Sequence, residues 1–270
     1  MVIWVKLVDV HCHLDSPKYT KLDELIARNK ENGIVGIVAA ASDFASCQRM
    51  LGLGRKYGGL VFPALGVHPE RLEATKDDIG KVMNLAREHR EEIVAIGEVG
   101  LPYYSIREKE NFVKLMEKAV PTLKRFSELA LELDLAVVLH APHDEPAQMA
   151  FEVVNDVGLK RVLFHWHKSK PEITKKIVDK GYYMSITPEV CYRDRDRELV
   201  KLAPLRNLVL ETDGPWSYGG EFKDRLTEPI FIKRTTQEIA KLKNLTEKEV
   251  SKITTENASK LFTVKNWTSG

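Results

Sequence analysis

The run Ile3-Trp4-Val5-Lys6-Leu7-Val8 leads straight into Asp9-Val10-His11-Cys12-His13-Leu14-Asp15, and the rest of the chain is organised around this stretch. β-Branched and aromatic residues bounded by polar ones predict a strand. Residues two apart on a strand point to one side, so His11 and His13 project into one space, while Cys12 turns to the other face as a small core residue. Two imidazoles converging at a strand end make half of a divalent-metal site. The plainer alternative is a pair of polar residues capping the strand through backbone hydrogen bonds.

Beyond this stretch, helix-like and strand-like segments alternate to the end of the chain. Helical spacing spans 21–32, closed by Gly33, and recurs over 43–57, 77–90, 145–156, 171–180 and 195–201. A longer helical stretch covers 107–133, with Pro121 expected to kink or split it. Apolar runs at 34–40, 60–67, 93–96, 135–139, 161–164, 182–186 and 208–210 predict strands, and two helices at 230–243 and 247–261 complete the chain. Strands alternating with helices imply a parallel sheet with right-handed crossovers, and about eight such units favour a closed (β/α)8 TIM barrel. No glycine-rich nucleotide-binding loop follows the first strand, which counts against an open doubly wound sheet.

Composition agrees with this and narrows the function. A chain of 270 residues, 43 % hydrophobic and 30 % charged, suits one barrel domain over 1–270. A net charge of +2 excludes binding nucleic acid through bulk charge, so any such contact is local. No apolar run approaches the ~18 residues of a membrane span, and the start of the chain lacks a signal-peptide core. Three cysteines (Cys12, Cys47, Cys191) without metal spacing suit a reducing, cytoplasmic setting.

The chemistry lies in position. His11, His13, His68, Glu98, His140, His165 and Asp213 all fall at or just beyond the C-terminal ends of predicted strands, which in a barrel share one rim. Imidazoles and carboxylates gathered there could hold one or two divalent cations, which lower the pKa of water to about 7 and polarise the bond under attack. Glu98, midway between the histidine groups, is the natural bridge between two cations, and Asp213 could be both ligand and base.

Seven motifs then stand in order: Asp-x-His-x-His-Leu-Asp (9–15), Gly-x-His-Pro (66–69), Ile-Gly-Glu-x-Gly-Leu (96–101), Leu-His (139–140), Phe-His (164–165), Glu-Thr-Asp-x-Pro (211–215) and Asn-Ala-x-x-Leu-Phe (257–262). This series resembles the TatD-like metal-dependent hydrolases of the amidohydrolase superfamily across almost the whole chain. The resemblance implies a TIM barrel holding one to three divalent cations (Mg2+, Mn2+ or Zn2+) through His11, His13, Glu98, His140, His165 and Asp213. It implies a deoxyribonuclease acting on single-stranded DNA from the 3′ end; no membrane contact and no obligate protein partner are expected from the sequence. Some relatives deacylate D-aminoacyl-tRNA, so an ester or amide hydrolase is the alternative, followed by a non-catalytic metal-binding barrel. The sequence departs from the family pattern at Pro102, at Pro142 and over His165-Trp166-His167-Lys168-Ser169, all at substrate-contacting positions.

Substrate contacts are therefore expected from His68, His167, Lys168 and Trp216, with Lys170 as a second phosphate contact. His167 would share a face with His165 if the strand continues, and Trp216 could stack on a base. Core packing is the competing role for Trp216 and Tyr218, and a solvent-side loop position for His143. Arg193 and Arg195 sit among aspartates and read as a solvated helix start.

Overall fold

The computed structural model describes residues 5–268. Ile3 and Trp4, part of the run read as the first strand, lie outside the described residues. Eight parallel strands pair in chain order: β1 (Leu7–Cys12), β2 (Ile34–Ala40), β3 (Val61–Leu65), β4 (Ala95–Gly100), β5 (Ala136–His140), β6 (Val162–His165), β7 (Tyr183–Ile186) and β8 (Leu208–Leu210). The helices are α1 (Leu22–Glu31), α2 (Phe44–Lys56), α3 (Lys76–Glu88), α4 (Phe112–Glu117), α5 (Val120–Glu132), α6 (Asp144–Val157), α7 (Pro171–Asp179), α8 (Asp194–Leu202), α9 (Ile232–Lys243) and α10 (Glu247–Phe262).

The barrel closes just past β8. There the Asp213 N–H donates to the His11 carbonyl at 2.8 Å, and the His13 N–H donates to the Gly214 carbonyl at 2.7 Å. The buried Asp9 carboxylate reinforces this seam by accepting the Thr212 backbone N–H at 3.0 Å.

Strands in this architecture are covered on both faces, which is why they read as nearly continuous apolar runs. One core lies between strands and helices. A second fills the barrel with Val8, Val10, Val38, Val138, Leu163 and Val209, above Leu261 and Phe262 of α10 and Trp267. α10 sits at the N-terminal ends of the strands: Ser251 and Thr255 donate to the Lys6 carbonyl, and Asn257 donates to the Leu208 carbonyl. That end is thereby plugged, and the C-terminal rim remains for chemistry.

Two boundaries differ from the sequence reading in ways that matter. β4 runs from Ala95 to Gly100, so Glu98 stands within the strand rather than after it. The stretch over 107–133 is split in two as expected, but the break falls at 118–119, ahead of Pro121, which stands in the first turn of α5, where its missing N–H leaves no helical bond unmade.

Glycines let the rim close up. A Cβ on Gly66 would lie 2.5 Å from the Glu98 carbonyl oxygen, so only glycine lets the end of β3 pass so near β4. Gly100 has φ +152°, and a Cβ there would lie 2.1 Å from the His140 carbonyl oxygen. Gly100→Ala is therefore expected to cost about 2–4 kcal/mol through overlap and backbone strain. Denaturant unfolding beside the wild type measures it, and a change below ~0.5 kcal/mol would show that the strands move apart freely.

Candidate metal centre

Each residue of the centre is delivered by a strand end. His11 comes from within β1, His13 from just past it, Glu98 from β4, His140 from the end of β5, His165 from the end of β6, and Asp213 from beyond β8. All the side chains converge on the Glu98 carboxylate. Its Oε2 lies 3.3 Å from His11 Nε2 and 3.4 Å from His13 Nε2. Its Oε1 lies 2.7 Å from His140 Nδ1, 2.9 Å from His165 Nε2 and 3.2 Å from His68 Nε2. Asp213 Oδ1 stands 3.4 Å from His11 Nε2 and 3.5 Å from His13 Nε2.

Tautomers follow from the outer partners. The Ala40 carbonyl, 2.9 Å from His13 Nδ1, can only accept, so Nδ1 carries the hydrogen and Nε2 turns a lone pair inward. Glu70 Oε1 at 3.1 Å likewise holds a hydrogen on His140 Nε2 and frees Nδ1 toward Glu98. His68 is the opposite case. Its Nδ1 accepts the Glu70 backbone N–H at 3.2 Å, so Nε2 is the hydrogen-bearing atom and donates to Glu98. Burial holds the His68 imidazole below its usual pKa.

The donor set fits a divalent cation on the geometry itself. His11 Nε2 and His13 Nε2 are 3.3 Å apart, and both face Glu98 Oε2, which has no hydrogen-bond partner among the described residues. Lone pairs and an anionic oxygen so close repel one another unless a positive charge lies between them. Nitrogen and oxygen donors bind cations such as zinc at about 2.0–2.2 Å, which suits this spacing. The groups His11–His13–Glu98 and His11–His165–Glu211 each bring their ligand atoms within 4.8 Å of one another; in a third such group, His68–Glu98–His140, the hydrogen on His68 Nε2 turns that residue toward Glu98 as a donor. Burial pushes the Glu98 carboxyl up, but the imidazoles of His68, His165 and His11 outweigh it and hold the group well below the usual carboxylate range. Asp213 is also held low: burial raises it, and the rings of His13, His11 and His165 beside it more than offset that.

A cavity of about 520 Å³ opens over this centre, walled by Tyr104, Pro142, Trp166, Lys168, Arg195 and Trp216. Lys168 Nζ sits 3.7 Å above the Trp166 ring and donates to the Tyr104 hydroxyl at 3.1 Å. Among the described residues no carboxylate lies within ion-pair distance of it, and burial pushes its ammonium down to about 8. Trp216 is 56 % exposed at the mouth and packs edge-on against Trp166, whereas Tyr218 is buried in the rim loop.

The structure corrects the sequence reading at several positions. His167 does not reach the cavity: β6 stops at His165, Trp166 takes a left-handed backbone (φ +43°), and the turn sends His167 under α7. There its Nε2 meets Thr174 Oγ1 at 2.9 Å, and burial pushes its pKa down to about 3. Lys170 is spent on an exposed ion pair with Asp144 at 3.0 Å. Arg195 stands exposed in the first turn of α8, as a solvated helix start should, but it also lies on the cavity wall, paired with Glu189 and with Asp196. His143 also lines the cavity, tilted against Tyr103 with ring centroids 4.5 Å apart.

Two acidic residues were missed. Glu70 reaches His140 as described, and Glu211 Oε1 lies 3.4 Å from His165 Nδ1 while accepting the Trp166 N–H at 2.9 Å. Both stood inside or beside quoted motifs. Glu211 directly follows an apolar strand, where a buried charge demands a partner.

Among the described residues no helix is long and apolar enough to cross a membrane. Residues 8–263 match the family described as TatD related DNase. An uncharacterized metal-dependent hydrolase of Methanocaldococcus jannaschii is 34% identical over 259 residues, covering 96% of this chain and 97% of that one. The human deoxyribonuclease TATDN3 is 32% identical over 266 residues, with 96% and 95% covered. The crystal structure of YJJV, a TatD homolog from Escherichia coli K12, superposes with a TM-score of 0.82 over 97% of this chain and 100% of that one. At 23% identity that likeness speaks for the barrel fold. Fold, donor set and sequence agree: the chain belongs to the TatD related DNase family of metal-dependent hydrolases.

Proposed function

We propose that this chain is a deoxyribonuclease that hydrolyses phosphodiester bonds of single-stranded DNA from the 3′ end. The observation that carries the reading is the Glu98 carboxylate, faced by inward-turned imidazole nitrogens at the floor of a cavity with aromatic and cationic walls. His11, His13, Glu98, His140, His165 and Asp213 are the proposed ligands for one to three Mg2+, Mn2+ or Zn2+ ions. Cations there would supply Lewis acidity, lowering the pKa of water and polarising the phosphoryl group.

The chain's own residues do the rest. Glu98 sets a fixed negative charge at the centre. Asp213, whose side chain is 13% exposed toward the cavity, accepts the proton of the attacking water. His68 presents an N–H donor beside Glu98, where it can meet a phosphate oxygen. Lys168 offers an unpaired cation on the wall, and Trp216 an open ring face on which a base stacks. The relatives named deoxyribonucleases support DNA as substrate; the setting is read as cytoplasmic, without a protein partner.

The test is end-labelled single-stranded DNA incubated with Mg2+, Mn2+ or Zn2+ and with chelator. Shortening that needs metal, proceeds from the 3′ end, and shows about tenfold higher KM in Lys168→Met at similar kcat is the expected result. A folded, metal-loaded protein that cleaves no DNA would overturn the reading. Turnover of D-aminoacyl-tRNA under those conditions would establish the ester hydrolase instead.

A further inference from the structure

We infer that Glu70 is a positioning residue that ties the ligand His140 to the loop 101–105 walling the cavity. The inference rests on the metal-hydrolase reading above. Glu70 follows His68-Pro69 in the loop after β3, and its carboxylate is surrounded by donors. Oε1 accepts the Tyr103 N–H at 2.7 Å and the Tyr104 N–H at 2.9 Å, and Oε2 accepts the Ser105 N–H at 2.8 Å. The same Oε1 lies 3.1 Å from His140 Nε2. Three consecutive backbone amides and one imidazole thus share a single carboxylate.

Two consequences follow from what a carboxylate can do. It only accepts, so His140 donates from Nε2, and Nδ1, 2.7 Å from Glu98, is the atom left to ligate a cation held there. A carboxylate behind a ligating imidazole fixes the tautomer, orients the ring and raises its basicity. Amides aimed at the carboxylate also fix the loop. Tyr104 in that loop packs on the His140 ring with centroids 5.9 Å apart, and its hydroxyl receives the bond from Lys168. One side chain therefore sets the orientation of a ligand and the position of the wall against which Lys168 rests. The fixed loop contains Pro102, where the sequence departs from the family pattern. With Oε1 taking three N–H donors, Glu70 is occupied as an acceptor and is not itself a ligand.

The test compares wild type, Glu70→Gln and Glu70→Ala by titrating Mn2+ and Zn2+ against a chromophoric chelator, alongside KM and kcat on labelled single-stranded DNA. Glutamine keeps an oxygen for the Tyr103 and Tyr104 amides but loses the charge behind His140. It should weaken the looser-bound cation by about 10–100-fold with KM little changed. Alanine should weaken the cation as much and raise KM at least fivefold, because the loop loses its anchor. A purely structural role would lower the melting temperature and leave the metal dissociation constants alone. Affinities and KM within twofold of a metal-binding wild type in both variants would overturn the inference. A wild type that binds no divalent cation would overturn the metal reading, and this inference with it. Should alanine fail to fold, Glu70→Gln alone decides through its metal affinity.

Discussion

Glu98→Gln is expected to lower kcat by about 10³-fold or more. Glu98 is 1 % exposed, and five imidazole nitrogens lie within 3.4 Å of its two oxygens. Glutamine keeps the shape and removes the negative charge. Its NH2 group has donors where Glu98 had lone pairs, so one side of the centre would face a hydrogen. Charge stabilisation by cations in such a site contributes several kcal/mol to a barrier, and tenfold in rate is 1.36 kcal/mol. The check is kcat under saturating Mn2+ together with metal content per chain. A variant that held its metal and kept a tenth of the wild-type rate would show that Glu98 is not central.

Asp213→Asn is expected to lower kcat by about 10²–10⁴-fold, the range of general-base catalysis, when measured at saturating metal so that weakened ligation is made good. The substitution is well suited to isolating chemistry. Asp213 holds a left-handed backbone (φ +46°), which asparagine tolerates as well as aspartate, and its N–H bond to His11 closes the barrel in either case. What changes is the ability to take a proton. Because the Asp213 carboxyl is held below its ordinary range, the proposed base is ionised at neutral pH and is lost only as pH falls well below that. The acid limb of the pH profile of kcat/KM should therefore be present in the wild type and absent in Asp213→Asn. A variant within tenfold of the wild type, with the acid limb intact, would assign the base to another group.

Much of this protein was legible before any coordinates. The helices and strands were readable because their spacing is dictated by which faces are buried, a local property of the chain. Rim position was readable for His11, His13, His68, Glu98, His140, His165 and Asp213 because each sits at the end of an apolar run, and parallel strands bring all such ends to one side. His167 shows where this reasoning stops. Alternation predicts its direction only while the strand lasts, and the left-handed turn at Trp166 depends on packing around β6 and α7.

Sequence by itself thus determined the barrel, the rim and the metal-binding character of the residues on it, since these follow from periodicity and side-chain chemistry. Tertiary structure alone decided which nitrogen of each imidazole faces Glu98. That choice is made by the Ala40 carbonyl for His13 and by Glu70 for His140, partners 27 and 70 residues away in the chain. It also decided that Arg195 lines the cavity and Lys170 does not. The reason is physical: where a polar side chain points is set by the partner that satisfies it, and only the fold brings those partners together.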